Sequence, residues 1–298
     1  MTGNLAKRAA VVQTVRDYFI KKGYIEVQTP IRLPDLIPEA HIDPFESEGW
    51  FLQASPELCM KRLMAKGHEK IFQVCPCFRK NERGKLHLPE HTLLEWYAKD
   101  QTYHGLMETI TGMIRHVAQL AGNGSSINYK GTVVDLTGEF PRLSVTEAFD
   151  RYGSIPMEEA LETGRFDEII SMDIEPNLGF EKPVFLYDFP AALGSLARLK
   201  PGNPESAERF ECYIAGLELA NGFSELTDPE EQRRRFEKEI AQRARMNKAS
   251  APMPEKFLAD LEQMPECAGA ALGVDRLVML FGNFASIDEV VAFTPEDL

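Results

Sequence analysis

The chain has 298 residues, 44% of them hydrophobic, with 33 basic side chains against 46 acidic ones and a formal charge of −13 at pH 7. That length and apolar content suffice for a sizeable buried core. The acidic balance is the reverse of what gripping a long phosphate backbone requires, so no long nucleic acid is expected as a partner.

No apolar run approaches the roughly 20 residues that span a bilayer, and Met1 to Arg8 lacks the basic-then-apolar pattern of a signal peptide. No membrane association and a cytoplasmic location are therefore expected. The five cysteines are thinly spread, which argues against a disulfide framework. Cys75-Pro-Cys77 has no second pair or nearby histidine to complete a zinc site and reads as two small buried thiols.

Residues 4–22 carry Leu5, Ala9, Val12, Val15 and Phe19 at helical spacing, and Gly23 ends the pattern. Tyr24 to Pro30 reads as a strand closed by proline, followed by an irregular Pro/Asp-rich stretch to Phe45. Residues 55–67 read as a helix that Ser55 can cap, Pro56 can open and Gly67 can end. Residues 70–80 and 91–99 read as two strands whose connection, Asn81 to Glu90, is polar and too long for a tight turn. A helix is expected over 104–121, a weakly stranded excursion over 122–141, and helices over 145–150 and 157–171.

Pro183 to Phe189 and Glu208 to Leu226 suggest further strands, and Thr227-Asp228-Pro229-Glu230-Glu231 opens a charged helix that runs to Arg245. Ala268 to Leu272 forms a last strand and passes through Gly273 into a helix from Asp275 to Gly282. Strands paired through loops, with helices grouped between them, favour an α+β fold in one domain over residues 1–298.

Three segments carry chemistry. In the first hairpin, a period of two puts Gln73, Cys75, Cys77 and Arg79 on one face, and His91, Leu93, Glu95 and Tyr97 on one face of the returning strand. The same alternation suits a solvated sheet surface. In the second segment Glu211, Tyr213, Asn221, Phe223 and Glu225 share parity whereas Glu218 is out of phase, so a bend or bulge is needed for Glu211 and Glu218 to meet, with Gly216 as a natural place. Such a pair suits magnesium held together with substrate phosphates; two solvent-facing glutamates are the plainer alternative. The third segment, Gly269 to Arg276, is a strand of small residues opening a helix, where glycines allow close backbone approach and Arg276 lies near a helix N-terminus that favours phosphate. A surface arginine at an ordinary strand-to-helix turn fits as well.

Taken together, in this order, the segments resemble the class II aminoacyl-tRNA synthetase family, and within it the lysine branch. Phe78-Arg79 through Pro89-Glu90 to Leu94-Glu95-Trp96-Tyr97 is similar to motif 2, Glu218 through Leu226 to the lysine-site strand, and Gly273-Val274-Asp275-Arg276 to motif 3. Tyr24 to Pro30 resembles motif 1, which lies at that family's dimer interface, so a homodimer is implied. Within that branch the chain resembles the stand-alone lyltransferases that modify elongation factor P, and no anticodon-binding domain is expected because the sequence starts almost at motif 1. The resemblance implies an antiparallel sheet flanked by helices, and ATP-dependent activation of lysine or β-lysine as the aminoacyl-adenylate.

Carried over residue by residue, the resemblance makes Arg79, Arg276, Glu211 and Glu218 catalytic, the two glutamates also holding magnesium. ATP would meet Arg79, Lys80, Asn81, His87, Leu88, His91, Glu218, Leu219, Gly273 and Arg276. The amino acid would meet Ser55, Glu57, Glu95, Tyr97, Asn221, Phe223, Glu225 and Ala271. Glu225 and Tyr97 would take its side-chain ammonium and Glu57 and Glu95 its other amine, with Phe223 along the aliphatic stem.

Ala271 stands where lysyl-tRNA synthetases carry glycine. Asn81 stands in place of an adenine-reading glutamate, Leu88 of an asparagine and His91 of an adenine-stacking phenylalanine, which implies altered ATP contacts. The rival readings are a minimal lysyl-tRNA synthetase acting on an acceptor stem and a degenerate module that binds lysine or ATP without chemistry.

Overall fold

The computed structural model describes residues 2–249 and 252–298. Its centre is a nine-stranded sheet. Six strands, Lys70–Phe78, Glu90–Lys99, Cys267–Gly273, Leu217–Ser224, Asn203–Ile214 and Val184–Pro190, lie side by side in that order, all antiparallel. Both flanks are parallel: Ile25–Glu26 pairs with Lys70–Phe78, and Arg142–Ser144 with Val184–Pro190. The antiparallel sheet expected from the sequence is thus the middle of a mixed one.

Strand parity divides this sheet into a core face and a working face. Phe72, Leu94, Trp96, Phe210, Cys212, Ala270 and Leu272 point to one side and are buried. They meet the apolar stripes of helices Thr2–Lys21, Tyr103–Leu120 and Val274–Gly282, which contribute Val15 and Phe19, Ile110 and Ile114, and Leu277 and Val278. Phe19 lies 5.2 Å, ring centre to ring centre, from both Phe72 and Trp96, so the first helix is keyed to the first hairpin by aromatic packing. The opposite face is only partly covered. Helices Glu57–Ala65, Pro229–Arg245 and Glu255–Leu261 pack Leu58, Met60, Phe236 and Phe257 over one end of it and leave the other end open.

The sequence expectations fail at instructive places. Tyr24 to Pro30 forms a strand only at Ile25–Glu26, because Pro30 has no N–H and the Thr29 N–H is taken by the Gln73 side chain at 3.1 Å. The helix expected over 157–171 breaks at Thr163-Gly164, where Gly164 turns left-handed with φ 68°, and resumes as Phe166–Ile169 and a wider turn Ile170–Ile174. Ser55 does accept a hydrogen bond from the Glu57 N–H at 3.1 Å, although Pro56 occupies the capping position. Glu255–Leu261 was not anticipated; its short amphipathic pattern is helical because Phe257, Leu258 and Leu261 are buried against neighbouring helices.

Gly216 also plays a different part from the expected one. Ala215 and Gly216, with φ 51° and 75°, form the two-residue turn of the Asn203–Ile214 and Leu217–Ser224 hairpin. The bulge lies beyond it: Cys212 pairs with Ala220 and Tyr213 with Glu218, so Leu219 is the extra residue.

Candidate functional site

Sheet register assembles the site in rows. Gln73, Glu95, Ala271, Asn221 and Glu211 are consecutive cross-strand partners over five strands, and Tyr97, Gly269 and Phe223 form the next row. Residues far apart in the chain become neighbours because each strand contributes its odd-numbered positions to the working face.

One half of this face is a cluster of buried carboxylates. Tyr97 donates its hydroxyl to Glu95 Oε1 at 2.6 Å, and Ser55 donates to Glu95 Oε2 at 2.7 Å. Burial, with the charge of Glu57 adding to it, pushes the Glu95 carboxyl up to about 7. Burial pushes Glu225 up to about 8 against the pull of Lys61. Gly269 is required by the crowding, since a Cβ there would lie 2.2 Å from Tyr97 Cε1 and 2.7 Å from Glu225 Oε1. Ala271 is set between Glu95 and Asn221 by its pairing to both.

The sequence reading missed Lys61. Its Nζ lies 2.6 Å from Glu57 Oε1, 2.6 Å from Glu225 Oε2 and 4.9 Å from the Phe223 ring centre. An ammonium of the protein thus sits among the groups assigned to a substrate ammonium, and it joins Glu57 to Glu225 while Glu95 is joined to Tyr97. The available signal was the helical i,i+4 spacing of Glu57 and Lys61.

Alongside lies a cavity of about 160 Å³ whose lining includes Arg79, His87, His91, Asn221, Ala271 and Arg276. Arg276 donates to the Glu218 carbonyl oxygen at 2.6 Å, and another of its nitrogens is 2.6 Å from His87 Nε2. The buried Nε of Arg79 has no hydrogen-bond partner among the described residues. That orphaned donor and the two guanidiniums suit a phosphate-bearing ligand. Burial, helped by Arg79, pulls His91 down to about 4, so its ring is neutral near pH 7 and free to stack on a base. Partial burial and Arg276 also hold His87 below its ordinary value.

Leu88, Leu219 and Gly273 line this cavity, although the side chains of Leu88 and Leu219 belong to the main core, which leaves their backbone groups for a ligand. Lys80 and Asn81 line instead a neighbouring chamber of about 270 Å³ that reaches Ser55. Asn81 is turned away by its left-handed backbone, φ 68°, and the Lys80 N–H is tied to the Asp43 carbonyl at 2.8 Å.

Leu219 bulges out of the ladder, and this returns Glu218 to the face it would otherwise leave. Glu218 pairs with Tyr213, whose hydroxyl donates to Glu211 Oε2 at 2.7 Å, while Arg209 donates to Glu211 Oε1 at 2.7 Å. Burial pushes Glu211 up to about 7, with Arg209 opposing and Glu218 adding to the shift. Among the described residues no group of three metal-ligating side chains converges. A pair of carboxylates beside a cavity lined by two arginines nevertheless fits magnesium, which completes its shell with substrate oxygens and water. Cys75 and Cys77 are buried thiols with sulfurs 4.0 Å apart.

Asp275 has a part that its sequence position did not disclose. It accepts from the Thr92 N–H at 2.8 Å and forms an ion pair with Arg8, which also donates to Thr92 Oγ1 at 2.8 Å. The helix after Gly273 is thereby locked to the first helix and the first hairpin. Among the described residues no helix is long and apolar enough to cross a membrane.

The chain is similar to known proteins along nearly its whole length. Residues 1–297 match the family of class II tRNA synthetases (D, K and N). An elongation factor P–(R)-β-lysine ligase of Sodalis glossinidius is 38% identical, over 98% of this chain and 95% of its own. The ligase of the same name from Proteus mirabilis is 38% identical, over 97% of this chain and 94% of its own. That from Klebsiella pneumoniae is also 38% identical, over 98% and 94%. With its strand rows, its two cavity arginines and its carboxylate cluster built from the same motifs, this chain belongs to the class II tRNA synthetase family (D, K and N), in the group of the elongation factor P–(R)-β-lysine ligases.

Proposed function

We propose that this protein uses ATP and magnesium to activate lysine or (R)-β-lysine as the adenylate and transfers it to the ε-amino group of a lysine on elongation factor P. The observation that carries this reading is the adjacency, on one sheet face, of a cavity bearing Arg79 and Arg276 and a cluster of the buried Glu95 and Glu225 with the partly buried Glu57. The arginines suit phosphates, and the carboxylates suit ammonium groups. The names of the relatives supply the acceptor.

In this reading the substrate carboxylate, already ionised, attacks the α-phosphorus and pyrophosphate leaves. Arg79 draws the two reacting groups together and takes up charge in the transition state. Arg276 holds the γ-phosphate, and His91 stacks on the adenine while His87 and the backbone of Leu88, Leu219 and Gly273 border the nucleotide. Magnesium held by Glu211 and Glu218 supplies neutralisation of the phosphate charge. The acceptor amine then attacks the acyl carbon, AMP leaves, and the amine gives up one proton. Glu225 and Tyr97 face one substrate ammonium, Ser55, Glu57 and Glu95 the other, with Asn221 and Phe223 completing the wall.

The whole chain acts as one catalytic unit and works as a homodimer; the exposed Ile25 of the motif 1 segment, with Ile20 and Ile31 flanking it, supports such an interface. The formal charge of −13 supports a protein acceptor over a long nucleic acid. A transfer assay with radiolabelled β-lysine tests this: label on elongation factor P supports it, and label on tRNA alone overturns it.

A further inference from the structure

The catalytic reading gives Lys61 no task, yet its side chain is 1% exposed and lies in the middle of the amino-acid cluster. It could be a structural strut joining helix Glu57–Ala65 to the end of strand Leu217–Ser224. A strut would be expected to satisfy its partners, and here it does not. Glu225 Oε1 has no hydrogen-bond partner among the described residues. Glu95 receives only the neutral hydroxyls of Ser55 and Tyr97. The cluster therefore holds three carboxylates, Glu57, Glu95 and Glu225, against one ammonium, with Lys61, Glu95 and Glu225 buried and the Glu57 side chain 15% exposed. In such a place an uncompensated charge of either sign is costly, so the number of charges selects the ligand as much as their positions do.

We propose that Lys61 sets the charge of the amino-acid pocket: by neutralising one of the three carboxylates it leaves an excess of two, matched to a substrate that carries two ammonium groups. The substrate class is a diamino monocarboxylic acid, whose own carboxylate lies outside the cluster toward Arg79. A monoamino acid of the same length leaves one carboxylate unbalanced and is refused. Phe223 supports the assignment, because the Lys61 ammonium lies 4.9 Å from its ring centre, an arrangement that favours the charged form of the amine. This inference rests on the lysine-activating reading given above.

The test is a charge-compensating pair of substitutions, read as the KM for lysine or β-lysine in amino-acid-dependent pyrophosphate exchange. Lys61→Met leaves three carboxylates and no ammonium. Glu57→Gln leaves two carboxylates and one ammonium. The double variant leaves two carboxylates and no ammonium, which restores the original excess of two.

Each single variant is expected to raise the KM for the amino acid by tenfold or more, and Lys61→Met to raise it more than it raises the KM for ATP. The double variant is expected to bind the substrate better than the worse of the two singles. Glu57→Gln should also narrow the preference for lysine over norleucine by at least tenfold. If Lys61→Met does not fold, Lys61→Gln removes the same charge while keeping a donor.

A double variant as impaired as the worse single, or more so, assigns Lys61 to structure alone and overturns the proposal. An unchanged KM in the Lys61 variants does the same. Wild-type protein with no exchange contradicts instead the lysine-activating reading itself, so the two failures are distinguishable.

Discussion

Arg276 donates to the backbone carbonyl of Glu218 at 2.6 Å, binding the helix that follows Gly273 to the hairpin that carries the two acidic residues. A second of its nitrogens reaches His87 at 2.6 Å, in the loop between the first two long strands. One side chain thus gathers the motif 2 loop, the strand that begins at Glu218 and motif 3 around the cavity. Replacing Arg276 by alanine is expected to lower amino-acid-dependent pyrophosphate release by roughly 100-fold, the scale of losing one preorganised donor to a charged transition state. Steady-state kinetics beside a thermal melt separates this from unfolding: a loss of activity fully matched by a loss of folded protein contradicts the assignment.

Glu218→Gln should weaken magnesium rather than the amino acid. Removing one of two carboxylates is expected to raise the magnesium concentration for half-maximal rate by about tenfold, with recovery at high magnesium. A magnesium titration reads this directly, and an unchanged midpoint would remove Glu218 from the metal site.

The buried carboxylates make the free protein sensitive to pH in a definite direction. Glu95 and Glu225 have folded values of about 7 and about 8, above those of the unfolded chain. Their stabilising contribution is complete below the unfolded value of about 4.3 and is lost as the pH rises through the folded values. The Tm of free protein is therefore expected to fall between about pH 4 and pH 8, less so in Glu225→Gln or with saturating lysine, which binds the ionised form. Melts at constant ionic strength give the slope; the same fall in Glu225→Gln as in wild type would contradict the account.

Ala271 contributes a methyl group between Glu95 and Asn221. Glycine there opens a space of about one methyl group, and a pocket difference of one methylene is worth about 10-fold to 200-fold in discrimination. Ala271→Gly is expected to shift the ratio of kcat/KM for α-lysine over β-lysine upward by at least tenfold. Competition between the two amino acids measures it, and an unchanged ratio frees Ala271 of that role.

Much of this site was legible because sheet parity is written into the sequence. Glu95 and Tyr97, or Asn221, Phe223 and Glu225, differ by two and so share a face whatever the register. Register itself was not legible, since the pairing of Ala271 with both Glu95 and Asn221 comes from contacts between strands far apart in the chain. The bulge illustrates the limit: the mismatch between Glu211 and Glu218 announced that one was needed, but the glycine that attracted attention serves the turn, and Leu219 takes the bulge because its side chain is buried in the core. Lys61 escaped notice because a lysine four residues after a glutamate on a helix is ordinarily a solvated pair; only its burial reveals it. The Tyr24 to Pro30 strand was over-extended for a related reason, as the Gln73 side chain takes the N–H that would have continued it.

The claim at the centre of the account is that the arginine cavity and the carboxylate cluster together form an adenylating site. The most direct measurement is pyrophosphate release from ATP and magnesium, with no acceptor present, for lysine, (R)-β-lysine and norleucine. The account predicts release that depends on lysine or β-lysine, is far weaker with norleucine and is lost in Arg276→Ala. No release with either diamino acid, from protein that is folded and binds ATP, would contradict it.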